Sequence, residues 1–225
     1  MDTPRRAGRP RAASREILEE AACELFLEQG YDATSVADIT SRAGVSRSTF
    51  FNYVESKSDL LWARFDDGVE RLRATLARLR EEVADGGRGD DVGLGGDVAT
   101  GGDVASREAQ ARAALATLAA DLPPENVALA YTQAGAMGLG EDLRLAEARR
   151  LVAVRDALAV HLRTAVSDQL AAQVRATALA GALLAAVREW SLAGVGRPAL
   201  PAVLARALDC LGPGAATGLD AGTRC

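Results

Sequence analysis

Residues 42–53 of the 225-residue chain read RAGVSRSTFFNY. Gly44 stands at the end of one helical pattern, and Ser46 stands just before a short run of hydroxyl-bearing and aromatic residues. A glycine adopts the left-handed conformation that turns the chain after a helix, and a serine hydroxyl accepts a hydrogen bond from the first free amides of the next helix. The stretch therefore predicts two helices joined by a tight turn, the second running from Arg47 to about Val54.

The flanking residues extend this pattern into further helices. Ser14 and Ser35 are predicted to cap the first and second helices, Gly30 to end the first, and Ser56 with Asp59 to form a capping box for a long fourth helix. Helical spacing of apolar residues continues over about 106–120, 124–138, 141–165, 168–193 and 199–211. Apolar residues make up 48% of the chain and are mostly alanine, leucine and valine. We therefore predict an all-α fold of about nine helices: a three-helix helix-turn-helix domain followed by a helical bundle.

The predicted organisation has four parts. Residues 1–13 form a flexible basic arm, residues 14–58 the helix-turn-helix domain, residues 59–211 the helical bundle, and residues 212–225 a flexible tail. A Gly/Asp-rich loop over residues 85–105 interrupts the bundle. It contains three near-copies of one hexapeptide, GDDVGL, GGDVAT and GGDVAS. A calcium-binding β-roll requires many stacked nonapeptide repeats, so this short repeat favours a flexible linker over a calcium site.

Several classes of protein are disfavoured by the composition. The three cysteines, Cys23, Cys210 and Cys225, are widely separated, and His161 is the single histidine. This spacing disfavours a zinc site, and we predict no metal and no cofactor. The sequence carries no nucleophile motif or phosphate loop, which favours a protein that is not an enzyme.

Membrane insertion and secretion are also disfavoured. The first residues are arginine-rich without an apolar core, unlike a secretory signal. The longest apolar stretch, Ala176–Val187, is too short to cross a bilayer and predicts a buried helix. We therefore expect a cytoplasmic protein with no membrane partner.

The charge is unevenly distributed. The chain has a formal net charge of −5, but the first fifteen residues, with five arginines and one aspartate, carry +4, so the remainder carries −9. Over residues 40–57, Arg42, Arg47 and Lys57 outweigh Glu55 and leave +2. A protein that binds a polyanion needs basic residues only on the face that meets it. The local excess is compatible with DNA binding.

The side chains at the start of the third helix have the chemistry of DNA contacts. A recognition helix brings its first residues to base edges in the major groove while neighbouring groups bind phosphates. Arg47 can bind a guanine edge through two hydrogen bonds. Thr49, Tyr53 and Lys57 are donors for phosphate oxygens. Phe50, in the same helix, is expected to belong to the core.

Residues 17–61, ILEEAACELFLEQGYDATSVADITSRAGVSRSTFFNYVESKSDLL, resemble the DNA-binding domain of TetR/AcrR-family transcriptional regulators. The resemblance implies a three-helix DNA-binding domain and a larger helical domain that binds a small molecule and dimerises through its last two helices. It places Arg47, Ser48 and Asn52 at bases, and Ser35, Thr49, Tyr53 and Lys57 at phosphates. Phe51 departs from the family pattern, which commonly has a phosphate-binding tyrosine there, so Tyr53 takes part of that role or Phe51 contacts a thymine methyl. Residues 188–198 are similar, more loosely, to a subgroup of these regulators.

Two further sets of residues are predicted for the larger domain. The candidate effector pocket consists of buried apolar, aromatic and histidine side chains: Phe65, Val69, Leu72, Leu118, Tyr131, Met137 and His161. The candidate dimer interface consists of apolar residues on the last two helices: Leu183, Leu184, Val187, Val203, Leu204, Leu208 and Leu211. Two alternatives stay open, because His161 can be a structural histidine and the dimer set can be core within one chain.

The predicted function is a ligand-responsive transcriptional regulator. In this reading a homodimer represses by binding double-stranded, palindromic operator DNA and is released by a small, mostly apolar effector. The alternative is a ligand-independent protein that organises DNA with the same helix-turn-helix.

Overall fold

The structure, a computed structural model, describes residues 11–86, 101–122, 125–163, 168–194 and 196–212. Within those ranges every regular element is an α-helix, which confirms the predicted all-α class. The ten helices are α1 Arg11–Gln29, α2 Val36–Ala43, α3 Arg47–Phe51, α4 Asp59–Gly86, α5 Gly101–Asp121, α6 Glu125–Thr132, α7 Ala134–Met137, α8 Gly140–Leu162, α9 Gln169–Leu192 and α10 Leu200–Asp209. Most of the predicted basic arm, the centre of the Gly/Asp-rich loop and nearly all of the tail lie outside the described residues.

Three helix boundaries differ from the predictions. The helix α1 begins at Arg11, so Ser14 lies inside it and is not its cap. The helix α3 ends at Phe51, three residues before the predicted end. The segment predicted as one helix over 124–138 is divided into α6 and α7 at Gln133, whose backbone angles of φ −110° and ψ 11° lie outside the helical region. This division gives ten helices in the described residues instead of about nine.

The chain divides into two compact units. The first contains Met1–Phe65 and Pro124–Ala146, and the second contains Asp66–Pro123 and Glu147–Cys225. The predicted boundary after residue 58 therefore leaves out the segment that carries α6 and α7. That segment packs within the first unit, because the amide of Tyr31 donates to the carbonyl of Met137 over 2.6 Å. Long-range contacts of this kind leave no local signal in the sequence.

Apolar residues at helical spacing form the core of the first unit. Leu18, Ala22 and Phe26 follow one another at intervals of four residues on α1 and are fully buried. Ile39 of α2 and Phe50 of α3 are equally buried. This core packs α1, α2 and α3 together.

The second unit combines alanine-rich helices with buried charges. The helix α9 buries eleven residues, among them Leu183 and Trp190. Arg112 of α5 donates to the carbonyl of Leu208 in the last turn of α10, at 3.1 Å, and to that of Gly212 just beyond the helix, at 2.9 Å. Arginine and lysine side chains near the last turn of a helix stabilise it in this way.

Among the described residues, α9 is the one helix long and apolar enough to cross a membrane. Half of its most apolar window is buried inside the chain, and a core helix passes the same test of length and composition. The burial of α9 against α10 agrees with the predicted buried helix.

Candidate nucleic-acid interface

The turn between α2 and α3 has the predicted geometry. Gly44 has φ 64° and ψ 34°, in the left-handed region, and its amide donates to carbonyls in the last turn of α2. Ser46 is extended, with φ −79° and ψ 157°, and its Oγ accepts from the amide of Thr49 over 3.1 Å. The glycine ends one helix and the serine starts the next two residues later, so the direction of α3 is fixed at its first turn.

The short helix α3 has one buried anchor and an exposed polar side. Phe50 is fully buried and ties the helix to the core of the first unit. Arg47, Ser48 and Asn52, the three predicted base contacts, are all exposed. The helix and its C-cap residue Asn52 thus present a guanidinium, a hydroxyl and a carboxamide to solvent from an anchored backbone, as the reading of base edges requires.

Hydroxyl groups are clustered at the start of α3. The Oγ of Ser46 lies 2.8 Å from the Oγ of Ser48 and 2.8 Å from the Oγ1 of Thr49. Thr49 and Tyr53, two predicted phosphate contacts, are half-buried. The cluster orients three hydroxyls within one helical turn.

Ser35, another predicted phosphate contact, is exposed and caps α2 with a complete capping box. Its Oγ donates to the Oδ2 of Asp38 over 2.6 Å and accepts from the Asp38 amide over 3.1 Å. The hydrogen bond from the Ser35 hydroxyl, together with that from the Ser35 amide, lowers the pKa of Asp38 below its usual value. The Ser35 side chain therefore already has a role in starting α2.

Lys57 has structural contacts that the sequence does not indicate. Its Nζ donates to the carbonyl oxygens of Tyr31 and Thr34, the latter at 2.9 Å, and lies 3.9 Å from the centre of the Tyr31 ring. Burial lowers the pKa of Lys57. Two of the three N–H groups of the ammonium thus hold the turn between α1 and α2, which leaves one for a phosphate oxygen.

Arg42 is paired with carboxylates on α1. Its guanidinium donates to Glu24 over 3.0 Å and to Glu28 over 2.7 Å. The hydrogen bond from Arg42 lowers the pKa of Glu28. The local charge of +2 counted from the sequence includes this arginine and omits the two glutamates, so it overstates the positive charge around α3. The sequence feature that could have indicated this pairing is the spacing of four residues between Glu24 and Glu28, which puts both carboxylates on one face of α1.

The seven candidate pocket residues are all buried, but they do not belong to one unit. Phe65, Tyr131 and Met137 lie in the first unit, and Val69, Leu72, Leu118 and His161 lie in the second. In the first unit, the Trp62 ring contacts both Phe65 and Tyr131, with ring centres 5.6 Å and 5.9 Å away. Three of the seven side chains therefore belong to the first unit and four to the second.

His161 has the surroundings of a structural histidine. It is fully buried, and burial lowers its pKa, with the charge of Arg107 acting in the same direction. Hydrogen bonds to the backbone of Arg107 and Leu76 oppose this shift. These contacts favour the structural role that the sequence left open.

The residues predicted for the dimer interface are, with one exception, core residues of a single chain. Leu183, Leu184, Val187, Val203, Leu204 and Leu208 are each at most 7% exposed, and Leu211 is 42% exposed. Side chains already covered within one chain have no surface left to bury against a second copy. The prediction is therefore corrected for these six residues, whose apolar surfaces pack α9 and α10 in the second unit.

Metal-ligating side chains are dispersed in the described ranges. No group of three or more histidine, cysteine, aspartate or glutamate residues there could hold a metal ion.

Comparisons with known proteins agree on the region around α3. Residues 18–63 match the family described as "Bacterial regulatory proteins, tetR family". The chain is 43% identical over 74 residues to the HTH-type transcriptional repressor DhaR of Mycobacterium sp. (strain GP1). This match covers 33% of this chain and 37% of that protein. It is 38% identical over 82 residues to the HTH-type transcriptional regulator EthR of Mycobacterium tuberculosis (strain ATCC 25618 / H37Rv). This match covers 36% of this chain and 38% of that protein. These matches thus span less than two fifths of the relatives' own lengths.

A solved structure resembles the chain over a greater length. The chain is 20% identical to Thermus thermophilus FadR, described as a TetR-family transcriptional repressor in complex with lauroyl-CoA. The likeness covers 93% of this chain and 100% of that chain, with a TM-score of 0.50. At this identity the likeness shows a common fold, an N-terminal helix-turn-helix followed by a helical domain. The relatives' names describe regulators, in agreement with the prediction that the chain is not an enzyme.

Proposed function

We propose that the chain is a TetR-family regulator, a cytoplasmic, ligand-responsive repressor that binds a palindromic operator as a homodimer, because residues 18–63 match that family and one relative of this region is named a repressor. The observation that carries the proposal is the Ser46-capped helix α3, anchored by Phe50, with Arg47 and Ser48 exposed on it and Asn52 exposed at its C-cap. A short, rigidly started helix with exposed hydrogen-bonding side chains fits the major groove.

We assign base reading and phosphate binding to different side chains. Arg47 binds a guanine edge, with Ser48 and Asn52 reading neighbouring bases. The phosphate contacts are the four remaining predicted residues: Ser35, Thr49, Tyr53 and Lys57. Two N–H groups of the Lys57 ammonium donate to carbonyls of the α1–α2 turn, and the third donates to a phosphate oxygen.

The dimer face is reassigned to the exposed side of α9. Leu170, Val174 and Leu192 are 70%, 59% and 55% exposed, and Ala185 is also exposed. With Gly181 they recur at intervals of four and seven residues, which keeps them on one side of a helix. A Cβ built on Gly181 would meet no atom within 4 Å, so this side leaves open space for close approach of a second copy. An apolar stripe of this kind is costly when exposed to water and supports burial in a homodimer.

The proposed effector is a small, mostly apolar molecule. The four candidate pocket residues of the second unit, Val69, Leu72, Leu118 and His161, are apolar except for the histidine, and such side chains favour apolar ligands. FadR of Thermus thermophilus, which shares the fold, was solved with lauroyl-CoA, a ligand with a long apolar chain. That complex is compatible with an apolar effector for this chain.

The proposed release mechanism uses α4. This helix runs from Asp59 to Gly86 and continues from the first unit into the second. The two recognition helices of a dimer must lie about 34–36 Å apart to enter successive major grooves. An effector that prefers the state with a different α4 tilt changes this spacing and shifts the population away from the DNA-binding state.

Footprinting on the DNA upstream of the gene tests the proposal against its alternative. We expect protection of one short inverted repeat, because a dimer with two α3 helices reads two half-sites. Continuous protection without sequence preference would contradict the regulator and would favour the DNA-organising protein.

A further inference from the structure

Phe51, the last residue of α3, is an exposed aromatic side chain beside the base-reading residues. It is 49% exposed, more than any other phenylalanine, tyrosine or tryptophan residue that the structure describes. A phenylalanine ring has no hydroxyl and cannot donate to a phosphate. The position therefore needs another physical explanation.

The Phe51 ring contacts both a core ring, that of Phe50, and the guanidinium of Arg47. Its centre lies 5.1 Å from that of the fully buried Phe50, and the two rings meet edge to face at 80°. The Cζ of Arg47 lies over the same ring, 5.7 Å from its centre. Residues four apart are neighbours on a helix, so the three side chains form a series from the core to the guanidinium.

We propose that Phe51 is a positioning residue for Arg47: its ring holds the guanidinium in place for guanine recognition. The proposal rests on the proposed function, since it concerns how Arg47 reads a base. A long arginine side chain loses many rotamers when it binds, and a contact that orders the side chain beforehand reduces this loss. A guanidinium over an aromatic face is also attracted by the ring electrons.

A tyrosine at this position would keep the ring and add a phosphate donor. Phe51 keeps only the ring, so its whole contribution is apolar and electrostatic. At an exposed site, a cation–π contact changes affinity about two- to five-fold. We expect an effect of this size, confined to the base pair that Arg47 reads.

The test uses full-length protein and the inverted repeat recovered by wild-type protein from a random duplex library. Each variant is titrated against that duplex and against duplexes changed at one base pair at a time. We expect Phe51→Ala and Phe51→Leu to lose about two- to five-fold in discrimination at the base pair where Arg47→Ala loses it. Phe51→Tyr keeps the aromatic face and is expected to keep the discrimination.

Two further variants separate positioning from direct contact and from folding. In an Arg47→Ala background, Phe51→Ala is expected to change discrimination no further. Leu27→Ala removes a comparably exposed apolar side chain from the first unit, 47% exposed, and is expected to leave discrimination unchanged. Equal thermal unfolding of Phe51→Ala and wild type would show that the loss does not come from folding.

Three outcomes would overturn the inference. In the first, Phe51→Ala loses discrimination at a different base pair, and the loss persists in the Arg47→Ala background. In the second, Phe51→Ala discriminates as well as wild type. In the third, Phe51→Tyr loses as much discrimination as Phe51→Ala. The first would identify a direct contact, such as one with a thymine methyl. If the wild-type protein itself recovered no preferred duplex, the proposed function would fail before this question arose.

Discussion

The reading helix α3 and the core helix α9 are built in opposite ways. The helix α3 has five residues, begins at a serine cap and buries only Phe50. The helix α9 has 24 residues, buries eleven and is apolar on nearly all sides. In α3 the cap fixes which side chains face solvent, whereas in α9 packing against α10 decides which leucines are covered. Side-chain type alone therefore locates a polar site on α3 but not an interface on α9.

The largest expected effect separates the two sides of α9. We expect Leu183→Ala, on the buried side, to lower the free energy of unfolding by about 2–5 kcal/mol, because it leaves a cavity. Leu170→Ala, on the exposed side, is expected to change it by less than about 0.5 kcal/mol at protein concentrations too low for association. Urea unfolding measures both, and sedimentation velocity is expected to show weaker dimerisation of Leu170→Ala alone. Equal losses of stability would contradict the assignment of the two sides.

The second effect concerns the basic arm that precedes α1. Because α1 begins at Arg11, deletion of residues 1–10 keeps the helix and removes three arginines, Arg5, Arg6 and Arg9, with Asp2. Arginines of such an arm bind phosphates or a narrow minor groove. We expect weaker binding to all DNA and a salt dependence shallower by about 0.9 for each arginine that contacts a phosphate. The preference for the inverted repeat should remain, since α3 is untouched. An unchanged salt slope would mean that the arm does not touch the DNA.

A smaller effect tests the two roles of Lys57. Lys57→Met removes the ammonium from two backbone carbonyls and from the proposed phosphate contact. We expect the free energy of unfolding to fall by about 1 kcal/mol and the salt slope of DNA binding to fall by about one, with base preference unchanged. Thermal unfolding and titrations at several salt concentrations measure the two losses. A loss of stability with an unchanged salt slope would leave Lys57 a structural residue only.

The smallest effect is expected for the Gly/Asp-rich loop. Deletion of residues 88–100 ends before α5, which begins at Gly101, and removes four apolar residues among thirteen, Val92, Leu94, Val98 and Ala99. We expect the same thermal unfolding midpoint as for the full chain, with and without calcium. A large shift of the full chain on adding calcium would favour the β-roll.

Local chemistry explains which features could be predicted from the sequence. The turn at Gly44 and the cap at Ser46 depend on the backbone freedom of one residue and the hydroxyl of another, and both were predicted and observed. The contacts of Lys57 with two carbonyls could not be predicted, because every residue has a backbone carbonyl and the sequence does not indicate which of them accept a hydrogen bond. The pairing of Arg42 with Glu24 and Glu28 required the relative position of α1 and α2.

The dimer residues show why the second unit was harder to predict. Because leucines lie on both sides of α9, the apolar pattern does not mark one face of the helix as the buried one. The sequence therefore could not distinguish the covered Leu183 from the exposed Leu170. The grouping of α6 and α7 with the first unit could not be predicted for a similar reason, since it depends on long-range contacts such as that between Tyr31 and Met137.

A gel-shift titration tests the central claim, that the chain reads a DNA sequence through α3. Full-length protein is titrated at one salt concentration against a duplex with the recovered inverted repeat and against a scrambled duplex of the same length and composition. We predict that the inverted repeat is bound at least about a thousandfold more tightly, as specific DNA-binding proteins do. Equal affinity for the two duplexes would contradict the account.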